Sequence, residues 1–197
     1  MIEHKFPLDS FIGGWYIPEK ICDDIINYFH NKKVYHIKGK TYDKNGKSEI
    51  DENFKVSTEI DITPFLDVYP FDEYEKQLYE CMKKYANKYE FINKMEPISF
   101  YESYNIQWYK PKEGFKQWHY ERGNSSAKER VLVFMTYLND VDDGGTDFFY
   151  QQITTPAKKG LTLIWPSEFT HTHKGQISMT KDKYIATGWI GFNKSSF

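Results

Sequence analysis

Apolar residues recur at two different periods along the chain, and the change of period divides it. From Pro18 to Asn31, Ile21, Cys22, Ile25, Ile26 and Phe29 fall at helical spacing. Pro18-Glu19 can open that helix, because a first-turn proline gives up only an N–H that has no partner within the helix, and Asn31 ends it. A second stripe, Tyr74, Leu78, Cys81, Met82, Tyr85 and Tyr89, predicts a helix over about 71–89. Glu75, Lys76, Lys83 and Lys84 lie off the stripe, so this is an amphipathic helix lying on something. Between the two, Lys32 to Lys47 is rich in lysine and contains Asn45-Gly46, a hairpin-turn signal. Asp43, Glu49, Asp51 and Glu52 lie close by, which favours a solvated hairpin over a nucleic-acid patch.

From Ile98 onward the period becomes two. Tyr104, Ile106 and Trp108 alternate with Asn105, Gln107 and Tyr109, predicting a strand with one face on helices and the other lining a cavity. Val131 to Leu138 reads as a buried strand ended by Asn139-Asp140, and Asp143-Gly144-Gly145 as a turn. Gly160 to Trp165, closed by Pro166, and Tyr184 to Phe192 read as two more strands. Short strands without intervening helices predict a barrel or sandwich, so the fold class is α+β. The chain shows no internal repeat, and its 197 residues suit a single domain. Residues 1–95 would supply helical support and a hairpin, and 96–197 the β-rich half.

Composition narrows the function. The mean hydropathy of −0.71 and the lack of a long apolar run exclude a membrane-spanning helix. A formal net charge of −2, from 26 basic and 28 acidic residues, argues against a nucleic-acid partner, whose phosphates need excess Lys and Arg. At 18% aromatic, the chain is too rich in Tyr and Phe to stay disordered. Cys22 and Cys81 form no metal or redox spacing and read as reduced thiols of a cytoplasmic protein. The N-terminus lacks the apolar core of a signal peptide, so the sequons at Asn124 and Asn193 carry no weight.

Six histidines are present. His4, His30 and His36 lack carboxylate neighbours and read as surface residues. His119-Tyr120-Glu121 places an imidazole and a carboxylate at i and i+2, on one face if the segment is extended. About 50 residues later, His171-Thr172-His173 offers a third ligand. Two His and one carboxylate with open positions suit non-heme Fe(II) oxygenase chemistry. Zn(II) accepts the same donors, which leaves a hydrolase or isomerase on a cupin-like barrel, or a non-catalytic binding module, as alternatives. By period two, Lys183 shares a strand face with Thr187 and Trp189. Asp140, Asp142, Asp143 and Gly144 resemble part of a calcium loop but lack its closing Glu.

Taken together, Trp118-His119-Tyr120-Glu121, the run from Arg130 through Tyr137 to Thr146, Pro156 to Gly160, His173-Lys174-Gly175 and Lys183-Tyr184 resemble the Fe(II)- and 2-oxoglutarate-dependent dioxygenases, in their prolyl 4-hydroxylase-like branch. The resemblance covers roughly 105–192 and implies a double-stranded β-helix (jelly roll) flanked by helices. It implies His119, Glu121 and His173 as catalytic metal ligands, His173 being preferred to His171 because x-Gly follows it. It implies that Lys183 and Tyr137 reach the distal carboxylate of 2-oxoglutarate and that Tyr109 lies near that cosubstrate. Trp189 would wall the substrate side, and Arg130 would touch a peptide substrate. Fe(II) and 2-oxoglutarate are the implied cofactor and cosubstrate, with ascorbate as reductant. The implied partner is a proline-containing peptide or protein; relatives that act on small molecules are the alternative. Similar proteins are common in phage genomes, which would place this one in a bacterial cytoplasm. One departure stands out: the family usually has Asp where this chain has Glu121. Retention of a carboxylate argues against halogenation, and the extra methylene bears on metal geometry.

Overall fold

A computed structural model describes residues 1–42, 48–100 and 102–192. One large antiparallel sheet runs, in spatial order, through Ile2–Glu3, Gly13–Tyr16, Leu161–Pro166, Arg130–Tyr137, Lys183–Phe192, Asn105–Tyr109, Thr58–Asp61 and Ile37–Lys38. Ile98–Phe100 pairs with the end of Lys183–Phe192. A smaller sheet, Ile153–Ala157, Val141–Phe148 and His173–Gly175, lies against one face of the large one.

Alternation along the central strands decides what lies on each side. Leu132, Phe134, Tyr184, Ala186, Ile190 and Ile106 face the helices, where they meet Ile21, Cys22, Ile25 and Phe29 of α1 (Glu19–Asn31) and Phe71, Tyr74, Leu78, Cys81 and Tyr85 of α2 (Phe71–Lys88). Each fully buried apolar side chain of this size contributes about 1.5–3 kcal/mol. Val133, Met135, Tyr137 and Ile185 face the other way, toward Val141, Phe148 and Ala157 of the small sheet. One polar chain crosses the helix side: the Tyr74 hydroxyl donates to Thr136 Oγ1 (2.8 Å), which is itself 2.8 Å from Thr162 Oγ1. It fixes α2 over the centre of the sheet, since a buried hydroxyl left unbonded costs more than the bond gains.

Both helices lie where the sequence predicts them, to within a residue. The first half departs from expectation in also giving the large sheet four strands of two to four residues, too short for a periodic signal. Asn45-Gly46 lies outside the described residues, while the flanking Thr41–Tyr42 and Ser48–Glu49 pair antiparallel. Asp143-Gly144-Gly145 is not a turn but part of strand Val141–Phe148, whose register shifts between Val141 and Thr146. The glycines serve close approach there: a Cβ on Gly145 would sit 2.1 Å from the Thr155 carbonyl oxygen. No helix among the described residues is long and apolar enough to cross a membrane.

Candidate active site

Between the two sheets lies a cavity of ≈ 680 Å³. Tyr109, His119, Glu121, Arg130, Tyr137, His173, Lys183 and Trp189, all singled out in the sequence, line it. The large sheet arranges them in rows. Tyr109, Lys183 and Tyr137 stand near one end, and Asn105, Thr187 and Trp189 near the other. Lys183 and Trp189 are six residues apart on one strand, about 20 Å at about 3.3 Å per residue.

His119 and Glu121 do not sit on a regular strand. His119 makes a single antiparallel bridge with His173, each backbone N–H donating to the other's carbonyl (3.0 and 2.9 Å). This bridge, rather than a long strand, turns both imidazoles inward, with ring centroids 4.3 Å apart. His119 Nδ1 lies 3.0 Å from the Gln117 carbonyl oxygen, and His173 Nδ1 lies 2.8 Å from that of His171. A carbonyl can only accept, so each Nδ1 carries the proton and each Nε2 presents a lone pair. The two Nε2 atoms lie 3.5 and 3.6 Å from Glu121 Oε1. One ligand atom from each of the three residues falls within 4.8 Å of the others.

Electrostatics prepares the same atoms. Burial, reinforced by the neighbouring His119, pushes the His173 pKa down to about 3, which keeps its ring neutral. Burial alone would raise the Glu121 carboxyl; the His119 and His173 imidazoles beside it and the Arg130 guanidinium outweigh it and hold the pKa down to about 2. Phe115 stacks on His119 (3.6 Å between centroids, 16° between planes) and Trp165 packs edge-on to His173 at 5.1 Å. These rings orient the imidazoles, and no spacing in the sequence marks them. The donor set fits a divalent ion of the Fe(II) or Zn(II) kind.

At the other end, Lys183 is buried and donates from Nζ to the Gln176 carbonyl (2.6 Å), with Nζ 5.3 Å over the Tyr109 ring. Burial lowers its pKa to about 8 against the opposing pull of Asp143. Tyr137 also lines the cavity, its hydroxyl 2.7 Å from Thr146 Oγ1 and 2.9 Å from Thr155 Oγ1. The Tyr109 hydroxyl donates to Gln107 Oε1 (2.5 Å). A buried cation in the wall of a cavity fits a carboxylate ligand.

The remaining residues hold surprises. Arg130 forms a fork with Glu102 (Nη2 to Oε2, 2.7 Å), donates to the Glu121 carbonyl (3.2 Å), and lies 3.5 Å over the Trp189 ring. Trp189 Nε1 donates to Glu121 Oε2 (2.9 Å). The Thr187 hydroxyl is turned onto the Phe134 carbonyl (3.0 Å). His171 is buried 3.0 Å from the Ser10 carbonyl, tying the N-terminal segment to the loop before His173. His30 is exposed and His4 and His36 are half-buried, as expected of surface residues, and they also contact the Tyr184 hydroxyl, the Tyr16 hydroxyl and the Phe29 carbonyl, respectively. Sequence reasoning also missed a buried ion pair on the cavity wall. Lys55 lies 2.5 Å from Glu59, which further accepts from Ser57 (2.7 Å) and Asn105 (3.3 Å).

The sequence profile of the 2OG-Fe(II) oxygenase superfamily matches residues 104–191. No sequence among curated proteins matches the chain. Among solved structures, a viral collagen prolyl hydroxylase of Paramecium Bursaria Chlorella virus-1, determined as a 2OG complex, is similar over 91% of this chain and 95% of its own, with a TM-score of 0.66 and 16% identity. A prolyl-4-hydroxylase of Pseudomonas putida gives 93% and 96%, 0.66 and 13%. A Trichoplax adhaerens prolyl hydroxylase, in complex with a hypoxia inducible factor peptide fragment, gives 92% and 84%, 0.71 and 11%. At these identities the structural likeness speaks for the fold alone, while the profile covers the segment holding His119, Glu121, His173 and Lys183. Residues 104–191, which hold the metal donors and Lys183, therefore match the 2OG-Fe(II) oxygenase superfamily, on a fold similar to that of these prolyl hydroxylases.

Proposed function

We propose that this protein hydroxylates a prolyl residue in a flexible peptide or protein, using Fe(II) held by His119, Glu121 and His173. The observation that carries this reading is one cavity with three convergent metal donors and, along the same wall, the buried cation Lys183. We read the two facing sheets as a double-stranded β-helix and the whole chain as one domain built around it.

Bound Fe(II) and 2-oxoglutarate would supply the oxidising chemistry, with O2 consumed and succinate and CO2 released as a C–H bond becomes C–OH. The protein's own groups position and exclude. The two Nε2 lone pairs and Glu121 Oε1 fix the ion. Lys183 and the Tyr137 hydroxyl take the far carboxylate of 2-oxoglutarate, and Tyr109 lies alongside. At the opposite end, Trp189 and Arg130 line the entrance for the target. A pyrrolidine ring is compact and apolar and suits an aromatic wall. A neighbouring proline keeps the peptide in the extended polyproline II form, which costs little entropy to bind.

The test is mass spectrometry of proline-containing peptides and of free amino acids incubated with protein, Fe(II), ascorbate and 2-oxoglutarate. A gain of one oxygen on a prolyl residue is expected. Faster hydroxylation of free amino acids than of every proline-containing peptide would refute the peptide-prolyl assignment.

A further inference from the structure

Glu121 brings to the metal site a carboxylate one methylene longer than the aspartate it replaces, adding a torsion and about 1.5 Å of reach. Such an arm can turn both oxygens onto one ion. Its two oxygens are nevertheless in very different surroundings. Oε1 lies between the two imidazoles, 3.5 and 3.6 Å from their Nε2 atoms. Oε2 points away, accepting from the Trp189 indole N–H at 2.9 Å, with Arg130 Nη1 3.6 Å distant.

The donor is itself held in place. Trp189 sits opposite Val133 in the middle of the large sheet. The Arg130 guanidinium covers its ring at 3.5 Å, and three hydrogen bonds to Glu102, of 3.2, 3.1 and 2.7 Å, fix that guanidinium. Arg130 also donates to the carbonyl of Glu121 itself (3.2 Å), so the backbone and the side-chain tip of that residue hang from one assembly.

We propose that Trp189 is a positioning residue: its indole N–H claims Oε2, so that Glu121 offers the ion Oε1 alone. This rests on the metal site proposed above. A single carboxylate oxygen and two imidazoles occupy three positions of a six-coordinate ion and leave the rest for exogenous ligands. Were both carboxylate oxygens to bind, one of those positions would close. On this account the longer side chain is tolerated because Trp189 takes up its second oxygen. The shorter arm of an aspartate at position 121 could not reach both the ion and the indole.

The experiment uses Mn(II) alone as probe, without 2-oxoglutarate. Titration gives the affinity, and water-proton relaxation counts the exchangeable waters on the bound ion. Wild-type protein should hold about three, and Trp189→Phe, which keeps the ring under Arg130 but removes the N–H, about two. Glu121→Asp should hold about three, and adding Trp189→Phe to it should change nothing, because the coupling is already gone. An unchanged water count in Trp189→Phe would overturn the proposal. Failure of wild-type protein to bind Mn(II) would instead overturn the metal site beneath it. A second measurement needs no variant to fold. In wild-type protein labelled with 15N-tryptophan, one indole N–H should stay protected from exchange when diamagnetic Zn(II) is added, and should shift with it. Loss of that protection on metal binding would also overturn the proposal.

Discussion

Lys183→Met should make the protein more stable and less able to hold 2-oxoglutarate. Lys183 is 5% exposed. Its hydrogen bond goes to the neutral Gln176 carbonyl, and the charge that opposes its neutralisation is Asp143. Burial therefore lowers its pKa from 10.5 to about 8. At 1.36 kcal/mol per tenfold change in proton affinity, that fall costs the folded protein about 3 kcal/mol while the lysine is charged in both states. Methionine matches the stem and carries no charge, but it forfeits the bond to Gln176, worth about 1 kcal/mol. The net gain at pH 7 is about 2 kcal/mol.

The pH dependence separates this account from simple repacking. A lysine with a depressed folded pKa binds fewer protons folded than unfolded between the two values, so wild-type stability rises with pH across that window. The penalty is complete below about pH 8, shrinks from there to 10.5, and is absent above. The advantage of Lys183→Met should vanish over the same interval. Urea unfolding of both proteins at pH 7 and pH 10, without metal or cosubstrate, measures it. Subtracting the two curves removes the tyrosines that titrate nearby. A variant less stable than wild type at pH 7, or a difference indifferent to pH, would refute the reasoning. The functional counterpart is a loss of 2-oxoglutarate affinity of roughly 10- to 150-fold, the value of a charge-assisted bond. Saturating 2-oxoglutarate should then stabilise wild-type protein by about 2.7 kcal/mol at 100 times Kd and the variant far less.

Two further outcomes follow from named contacts. His119→Ala should abolish divalent-metal binding measured by calorimetry, whereas His171→Ala should keep most of it and lose about 1–3 kcal/mol of stability, because the Ser10 carbonyl is left unpaired; equal metal losses would refute the choice between the two histidines. Lys55→Met or Glu59→Gln alone should cost about 3–5 kcal/mol by stranding a buried charge, and the double variant should recover most of it; additive losses in a double-mutant cycle would show that the pair is not coupled.

What could be read from the sequence followed from periodicity, and what could not depended on register. Helical stripes of five or six residues placed α1 and α2, and the two-residue period assigned Asn105, Gln107 and Tyr109 to the cavity side of their strand. His119 and Glu121 carried a spacing that an extended backbone turns into convergence. Lys55, Glu59 and Phe115 carried none: ordinary residue types, brought to the cavity by pairings between distant short strands.

Arg130 shows why alternation alone fails near the site. Counting back by twos from Val133, which faces the cavity, reaches Val131 and sends Arg130 to the helix side. The structure does the reverse: Val131 packs with the helix-side core and Arg130 lines the cavity. The cause is the register shift between Arg130 and Leu132, where Leu132 pairs with Ile190 but Arg130 with Gly191. An extra residue in one strand flips everything beyond it to the other face. Arg130 thereby becomes the diagonal neighbour of Trp189, two residues from Gly191, close enough for a long side chain to cover the ring. The contact that fixes Trp189, and through it the second oxygen of Glu121, thus depends on one inserted residue that leaves no mark in the hydrophobic pattern.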